Sequence, residues 1–379
     1  MKIVDLPIGD RGAMSDNASA SCTLPSKYYF DAEVFQRERR TIFQRNWCYV
    51  GHVGQLAKPG DYFVDSIVDQ PIFLTRVDDN TIKGYMNVCQ HRGHQLLTGS
   101  GSGKMRIVCP YHAWTYDLNG SLIRAPCTDE LPNFKPDLFG LKEIAVAECV
   151  GLLFANLTPV STKDEALVFE DVYPGLKNTL KGHLGNLEGF ERKHRIDYQI
   201  AANWKVVVDN FSEGYHIPRA HRLLSQVLDS AASSDSRIEK HYAFFQSICK
   251  SGYAGLELAP GQPYLSWTIW PNTCMLSQPG CKNLFVIRMA PDGPTGCAER
   301  VDILAPAGES APELDALKTL FADNFNKEDI AIVESVQRGL QSLGYDQGRY
   351  VADGKEDWYS ESGLHRFHMQ IIEALEIQQ

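Results

Sequence analysis

The sequence predicts an α+β protein with a small all-β domain ahead of a larger domain of antiparallel sheet and helices. Three observations predict this. Between about residues 47 and 155 the apolar runs are short and punctuated by Gly, Pro and Asp-Asp-Asn, as strands and turns are. Beyond that, runs of helical period alternate with strand-like runs. The chain has 379 residues, 44% of them hydrophobic, which suffices for two cores. The expected division is 1–46 for an N-terminal tail and helix, 47–155 for the β domain and 156–379 for the second domain.

Residues 1–24 are small and polar, so a loose or partner-bound tail is expected there. Asp31–Trp47 spaces Val34, Phe35, Ile42, Phe43 and Trp47 on one helical face with charges opposite. DYFVDSIV, PIFLTRVD, TIKGYMNV and KMRIVC then read as strands, and AVAECVGLLFANLT as a closing β run. DEALVFEDVYPGLKNTL and the segment Trp204–Leu228 read as helices, the second interrupted by Pro218. HYAFFQSICK, YLSWTIWPNTCML, NLFVIRMAP and ERVDILAP are strand-like. ELDALKTLFADNFNKEDIAIVESVQRGLQSL is one long helical stretch, and SGLHRFHMQIIEALEIQ a terminal helix.

A net charge of −10 and a pI near 5.6 repel phosphate backbones and anionic lipid, so neither nucleic acid nor a membrane surface is an expected partner. The start of the chain shows no apolar run of signal-peptide length, and no run approaches a membrane span, so a cytoplasmic protein is expected. Ten scattered cysteines do not form a secreted disulfide framework and read mostly as small buried apolar residues.

One stretch carries chemistry. Cys89-Gln90-His91 and Cys109-Pro110-Tyr111-His112 place one thiol and one imidazole at each of two turns. Soft thiolates and imidazoles admit either zinc or an iron–sulfur cluster. Zinc sites of this composition usually pair Cys with Cys and His with His. A mixed pair in each loop suits a cluster in which one iron takes two His and the other two Cys. His94 reads as a loop histidine. The intervening Gly-Ser-Gly-Ser-Gly-Lys is too compact for a phosphate loop, and Met105 stands where Ser or Thr would be needed, so a flexible connection is expected.

The pieces C-x-H-R-G and C-P-Y-H-A-W resemble the Rieske domain of the Rieske non-haem iron oxygenases. The resemblance implies a Rieske [2Fe–2S] cluster held by Cys89, His91, Cys109 and His112, followed by a helix-grip-like catalytic domain. It extends to NWKVVVDNFSEGYHIPRAH, which is similar to the family's mononuclear-iron segment and implies His216 and His221 as ligands of Fe(II). Two His and one carboxylate on one face leave positions open for oxygen. Asp323, Glu328, Asp329 and Glu334 are the downstream carboxylates; the resemblance favours Asp329, with Asp323 next, and Glu334 reads as a helix-pairing or solvated group. Glu213 and Asp209 are the acids the resemblance assigns to catalysis. Glu213 would bridge His216 to His112 of a neighbouring subunit in a homotrimer.

No G-x-G-x-x-G follows a strand, so the electrons are expected from a separate NAD(P)H-dependent flavin and iron–sulfur reductase. The resemblance implies a terminal oxygenase that inserts oxygen from O2 into a small molecule. Glu213, where ring dioxygenases usually have Asp, and the tail WYSESGLHRFH lean towards monooxygenation or N-demethylation of a quaternary ammonium compound. Gly214 and Ile217 stand where those enzymes often have Cys. The alternatives are an aromatic-ring hydroxylating mono- or dioxygenase acting on an aromatic acid, and an electron carrier with a silent second site. For an ammonium substrate, Trp267, Trp270, Tyr264, Phe211 and Tyr215 are the candidate cage.

Overall fold

The computed structural model describes residues 7–159, 168–229, 235–250, 261–308, 312–354, 357 and 359–376. It divides into two compact units, Phe43–Glu191, and Met1–Ile42 with Arg192–Gln379.

The described strands of the first unit are β1 (Cys48–His52), β2 (Tyr62–Ile67), β3 (Gln70–Arg76), β4 (Ile82–Met86), β5 (Ser100–Gly101), β6 (Ile107–Val108), β7 (Thr115–Tyr116), β8 (Leu122–Arg124), β9 (Glu143–Cys149) and β10 (Leu152–Pro159). Seven form an antiparallel sheet in the order β1-β10-β9-β4-β3-β2-β5, and β6-β7-β8 form a small second sheet. Strand β2 alternates half-buried and buried residues, the period-two signature of a sheet with one covered face. AVAECVGLLFANLT, expected as one run, is two strands. Val150 and Gly151, with φ of 56° and 96°, turn β9 back onto β10. The expected flexible Gly-Ser connection is ordered instead: Ser100–Gly101 pairs with Tyr62–Phe63, and the Lys104 N–H donates to the Gly60 carbonyl at 3.0 Å. Phe73, Tyr85, Leu97, Ile107, Trp114 and Tyr116 form the core beneath both Cys/His turns.

The second unit carries α1 (Ala32–Glu38) and an antiparallel sheet whose main path is β11 (Phe190–Ile200), β18 (Cys297–Pro306), β17 (Leu284–Pro291), β16 (Thr273–Ser277), β15 (Pro263–Ile269), β14 (Tyr242–Cys249) and β12 (Leu228–Asp229); β13 (Asp235–Ile238) pairs with β14. YLSWTIWPNTCML, read as one run, is β15 and β16 in register, Ile269 opposite Thr273. Sequence reading missed β11 because its charged residues hide the pattern. It is anchored by Arg195, whose Nε and Nη2 donate to Asp302 of β18 at 2.7 and 2.8 Å.

Helices α4 (Trp204–Phe211), α5 (Ile217–Ala220), α6 (Arg222–Val227), α7 (Pro312–Leu320), α8 (Asn326–Leu340) and α9 (Ser362–Glu376) belong to this unit, whereas α2 (Phe169–Val172) and α3 (Leu176–Leu184) belong to the first. Asn203 caps α4 by accepting the Lys205 N–H at 2.9 Å. A π-helical turn, Phe321–Phe325, joins α7 to α8, so the long helical stretch holds one wide turn. The expected helix at Asp164–Leu180 starts in residues outside the description, and α2 and the start of α3 lie in the rest of it.

Three expectations are corrected. The segment before residue 47 does not form a unit of its own. Glu38 on α1 takes the Lys205 ammonium at 2.6 Å and the Trp204 indole N–H at 3.0 Å, so it packs with α4. The described part of the N-terminal tail is docked rather than loose: Arg349 donates to the carbonyls of Ala20 and Ser19 at 2.7 and 2.8 Å, and His365 bonds that of Ser15 at 2.7 Å. The boundary expected after residue 155 falls inside β10, whose pairing with β9 continues past it. Among the described residues no helix is long and apolar enough to cross a membrane.

Candidate metal centres

The two Cys/His turns are the same construction. In the first, the Cys89 carbonyl accepts the Gly93 N–H at 3.0 Å and the Cys89 N–H donates to the His94 carbonyl at 2.8 Å. In the second, the Cys109 carbonyl accepts the Ala113 N–H at 3.1 Å and the Cys109 N–H donates to the Trp114 carbonyl at 2.8 Å. Each ring needs a left-handed residue before it closes, and Gly93 (φ 73°) and Ala113 (φ 56°) supply it.

The thiols lie inside and the imidazoles outside: Cys89 and Cys109 are each 2% exposed, while His91 is exposed and His112 half-buried. The imidazole rings stand 4.7 Å apart, and His91 stacks on Trp114 at 4.8 Å. The Tyr116 hydroxyl sits 3.4 Å from Cys89 Sγ and accepts the Gln90 N–H at 3.0 Å. Burial and the neighbouring Cys109 push the Cys89 thiol up, against the lowering effect of Tyr116 and the His91 backbone. Burial, His91 and Arg92 push His112 down. The four residues fit a [2Fe–2S] group. His112 Nδ1 is buried without a hydrogen-bond partner, which a metal would supply, and two inner thiolates with two outer imidazoles match the split ligand set of such a cluster. His94 is not among the convergent groups; its ring bonds the adjacent Gln95 carbonyl.

The second centre is assembled from helix ends. His216 lies just before α5, and His221 sits between α5 and α6 with φ −110° and ψ 80°, outside helical geometry. Pro218 occupies the first turn of α5, where its missing N–H breaks no helical bond, so His221 makes the interruption. The two rings are 5.2 Å apart. Each uses Nδ1 on a carboxylate: His216 donates to Glu213 at 2.6 Å and His221 to Glu328 at 2.7 Å. Both Nε2 atoms then face Asp329 Oδ1, at 3.8 Å from His216 and 2.9 Å from His221. His216, His221 and Asp329 each offer one donor atom within 4.8 Å of the others, a set suited to a divalent iron with open positions. The carboxylate behind each imidazole fixes its tautomer and raises its basicity. Burial lowers the His221 pKa, but Asp329 and then Glu328 outweigh it and leave it raised.

Sequence reasoning brought together His216, His221, Asp329 and Glu213, but missed three partners. Asn210 Nδ2 holds Asp329 Oδ1 at 2.7 Å. Glu328 was weighed only as a ligand, although its place beside Asp329 in the first turn of α8 could have suggested support for a ligand. Tyr116 gave no signal. Asp209 is elsewhere: it accepts from the Tyr29 hydroxyl at 2.8 Å and from His368 at 2.9 Å, so it serves a buried network rather than the metal trio. Asp323 lies in the π turn outside the trio, and Glu334 accepts the Ala201 N–H at 3.0 Å at the surface. Glu299, fully buried on β18, takes Asn326 Nδ2 at 2.7 Å; burial, and then Asp329, push its carboxyl up to about 7.

A cavity opens beside the trio, lined among others by Phe211, Tyr264, Phe321 and Phe325. The π turn presents the last two. Of the five cage candidates, Phe211 and Tyr264 line this cavity. Trp267 is buried against Phe244, Trp270 packs on Phe367, and Tyr215 is exposed.

A β domain with paired Cys/His turns and a second domain with a two-histidine, one-carboxylate trio define an oxygenase with two metal centres. The chain belongs to the Rieske oxygenase family: residues 46–135 match the Rieske [2Fe-2S] domain and residues 187–377 the ring hydroxylating alpha subunit (catalytic domain). It is therefore an oxidoreductase with a Rieske [2Fe–2S] domain and a catalytic domain of the kind that binds mononuclear iron. It is 33% identical over 355 residues to the carnitine monooxygenase oxygenase subunit of Acinetobacter baumannii, covering 93% of this chain and 94% of that one. It is 31% identical over 367 residues to the chloroplastic choline monooxygenase of Arabidopsis thaliana, covering 94% and 83%. A solved quaternary ammonium Rieske monooxygenase matches with a TM-score of 0.89 at 30% identity, covering 98% of this chain and 99% of the other.

Proposed function

We propose that this protein is the terminal oxygenase of a quaternary-ammonium monooxygenase, hydroxylating a carbon next to nitrogen and so releasing the N-substituent or oxidising the chain. The observation that carries the reading is the metal trio opening into an aromatic cavity, in a chain whose near-full-length relatives are named for carnitine and choline oxidation. Aromatic faces attract ammonium groups.

In this reading Cys89, His91, Cys109 and His112 hold the cluster, and His216, His221 and Asp329 hold the iron. The cluster supplies single electrons and the iron supplies activation of O2 at its open positions. The chain's own residues do the rest. Glu213 and Glu328 engage both Nδ1 atoms, so each Nε2 is left to face the metal position. Asn210 fixes Asp329, and the aromatic wall excludes water and places the ammonium group. Glu213 also offers a carboxylate to His112 of a neighbouring copy, which joins the two centres in a homotrimer. A separate NAD(P)H-dependent flavin and iron–sulfur reductase supplies the electrons.

The test is a single turnover of reconstituted, chemically reduced protein with labelled O2 and a panel of betaines, carnitine, choline and aromatic acids. One labelled oxygen in an ammonium-derived product, or formaldehyde, is the expected result. A diol or phenol formed only from an aromatic acid overturns the reading.

A further inference from the structure

Resting on the assignment of the iron to His216, His221 and Asp329, we propose that His368 of α9 is a positioning residue for that centre, acting through Asp209 on the last turn of α4. His368 is 2% exposed, and both its ring nitrogens have partners. Its Nε2 lies 2.9 Å from Asp209 Oδ1, and its Nδ1 lies 2.5 Å from the Tyr350 hydroxyl. With the proton on Nε2, His368 donates to Asp209 and accepts the Tyr350 O–H. The Tyr29 hydroxyl donates to the other carboxylate oxygen of Asp209 at 2.8 Å. Burial, and then Asp209, push both tyrosine hydroxyls up, so each remains a donor. Segments far apart in the sequence thus converge on one carboxylate of α4.

The turn they hold is the one that reaches the iron position. The Ser212 N–H donates to the Asp209 carbonyl at 3.1 Å, so residues 209–212 form one closed turn. Its far end is anchored as well. Ser212 Oγ donates to the Val208 carbonyl at 2.7 Å, and Gly363 of α9 lies so near that a Cβ there would stand 3.5 Å from the Ser212 carbonyl oxygen. Between these anchors stand Asn210, which holds Asp329 at 2.7 Å, and Phe211, which lines the cavity. Glu213, bonded to His216 Nδ1 at 2.6 Å, follows directly. Successive helical residues point about 100° apart, so fixing Asp209 against α9 fixes the direction in which Asn210 leaves α4. An apolar residue at 209 would fill space without setting that rotation, whereas two directional hydrogen bonds set it. A functional site tolerates only about 0.5 Å of misplacement, so the anchor bears on iron affinity.

The experiment titrates the cluster-loaded, iron-depleted protein with ferrous iron and records the paramagnetic resonance of its nitric oxide adduct. His368→Asn no longer reaches Asp209. It is expected to weaken iron binding about 10-fold, the low end for a group behind a metal ligand, and to alter the nitric oxide spectrum. His368→Gln, whose amide stands where Nε2 was, is expected to restore both. Phe367→Leu loosens the same helix against Trp204 and is expected to lower the unfolding temperature while iron binding stays native. Should His368→Asn not fold, Tyr29→Phe decides in its place: it removes the other donor to Asp209, keeps the ring and is expected to weaken iron binding too. Native iron binding in the deciding variant overturns the inference. So does a loss that His368→Gln fails to restore, or an equal loss in Phe367→Leu, which would reduce the effect to packing. Native iron binding in His221→Ala sinks the assignment of the trio instead, so the two failures are distinguishable.

Discussion

Cys89, His91, Cys109 and His112 all fall within one short stretch of chain, whereas His221 and Asp329 are 108 positions apart. The first centre is written by local backbone: two turns closed by their own N–H and C=O groups, each presenting one thiol and one imidazole. The second exists only after α8 has been laid beside the segment from α4 to α6. Its carboxylates also work in pairs, Asp329 towards the metal position and Glu328 behind a ring. A local site can be read from spacing. A tertiary site can be read only as a set of candidates.

This contrast can be broken most directly by removing one ligand from each centre. His221→Ala is expected to abolish turnover and lower the iron content, while the cluster keeps its visible absorption. Cys109→Ala is expected to erase that absorption. Loss of the cluster spectrum in His221→Ala would show the centres to be structurally dependent. A smaller effect is expected behind the ligands. Glu328→Gln should weaken iron binding about 10–100-fold in a metal titration, the usual cost of removing a group that orients a metal-binding imidazole.

Glu299 tests the electrostatic side of the second centre. Its folded pKa of about 7 lies above the usual 4.5, so the neutral form is favoured by folding. That contribution is fully present below pH 4.5 and is lost as the pH rises through 7. Glu299→Gln should therefore stabilise the protein at pH 8 by about 2–3 kcal/mol. It should change little at pH 4.5, as thermal unfolding at the two pH values would reveal. An equal shift at both would place the cause outside titration. The smallest effect is expected at the first centre. Tyr116→Phe removes the hydroxyl beside Cys89 Sγ and should lower the cluster's reduction potential without removing the cluster, measured by a spectroscopic redox titration.

Much of the architecture was legible in the sequence. Short strands, the terminal helix and the helical stretch around Asp329 follow from apolar period, which survives wherever one face is buried. Strand β11 was not legible, because Arg195 and its neighbours satisfy it through ion pairs rather than an apolar face. The turn within YLSWTIWPNTCML was hidden because both flanking strands are buried and read as one apolar run, and that within AVAECVGLLFANLT because apolar Val150 stands in it. At the second centre the residue types were visible, but not their division of labour. Asp209 and Glu213 are near in sequence, yet α4 turns one towards Tyr29 and His368 and leaves the other on His216.

The paired turns around Cys89 and Cys109 have a kinetic meaning. Each is a closed backbone ring, held by hydrogen bonds that owe nothing to the metal. A frame of this kind does not have to rearrange when the charge it encloses changes by one electron. The reorganisation energy is then confined to the metal–ligand bonds and nearby water.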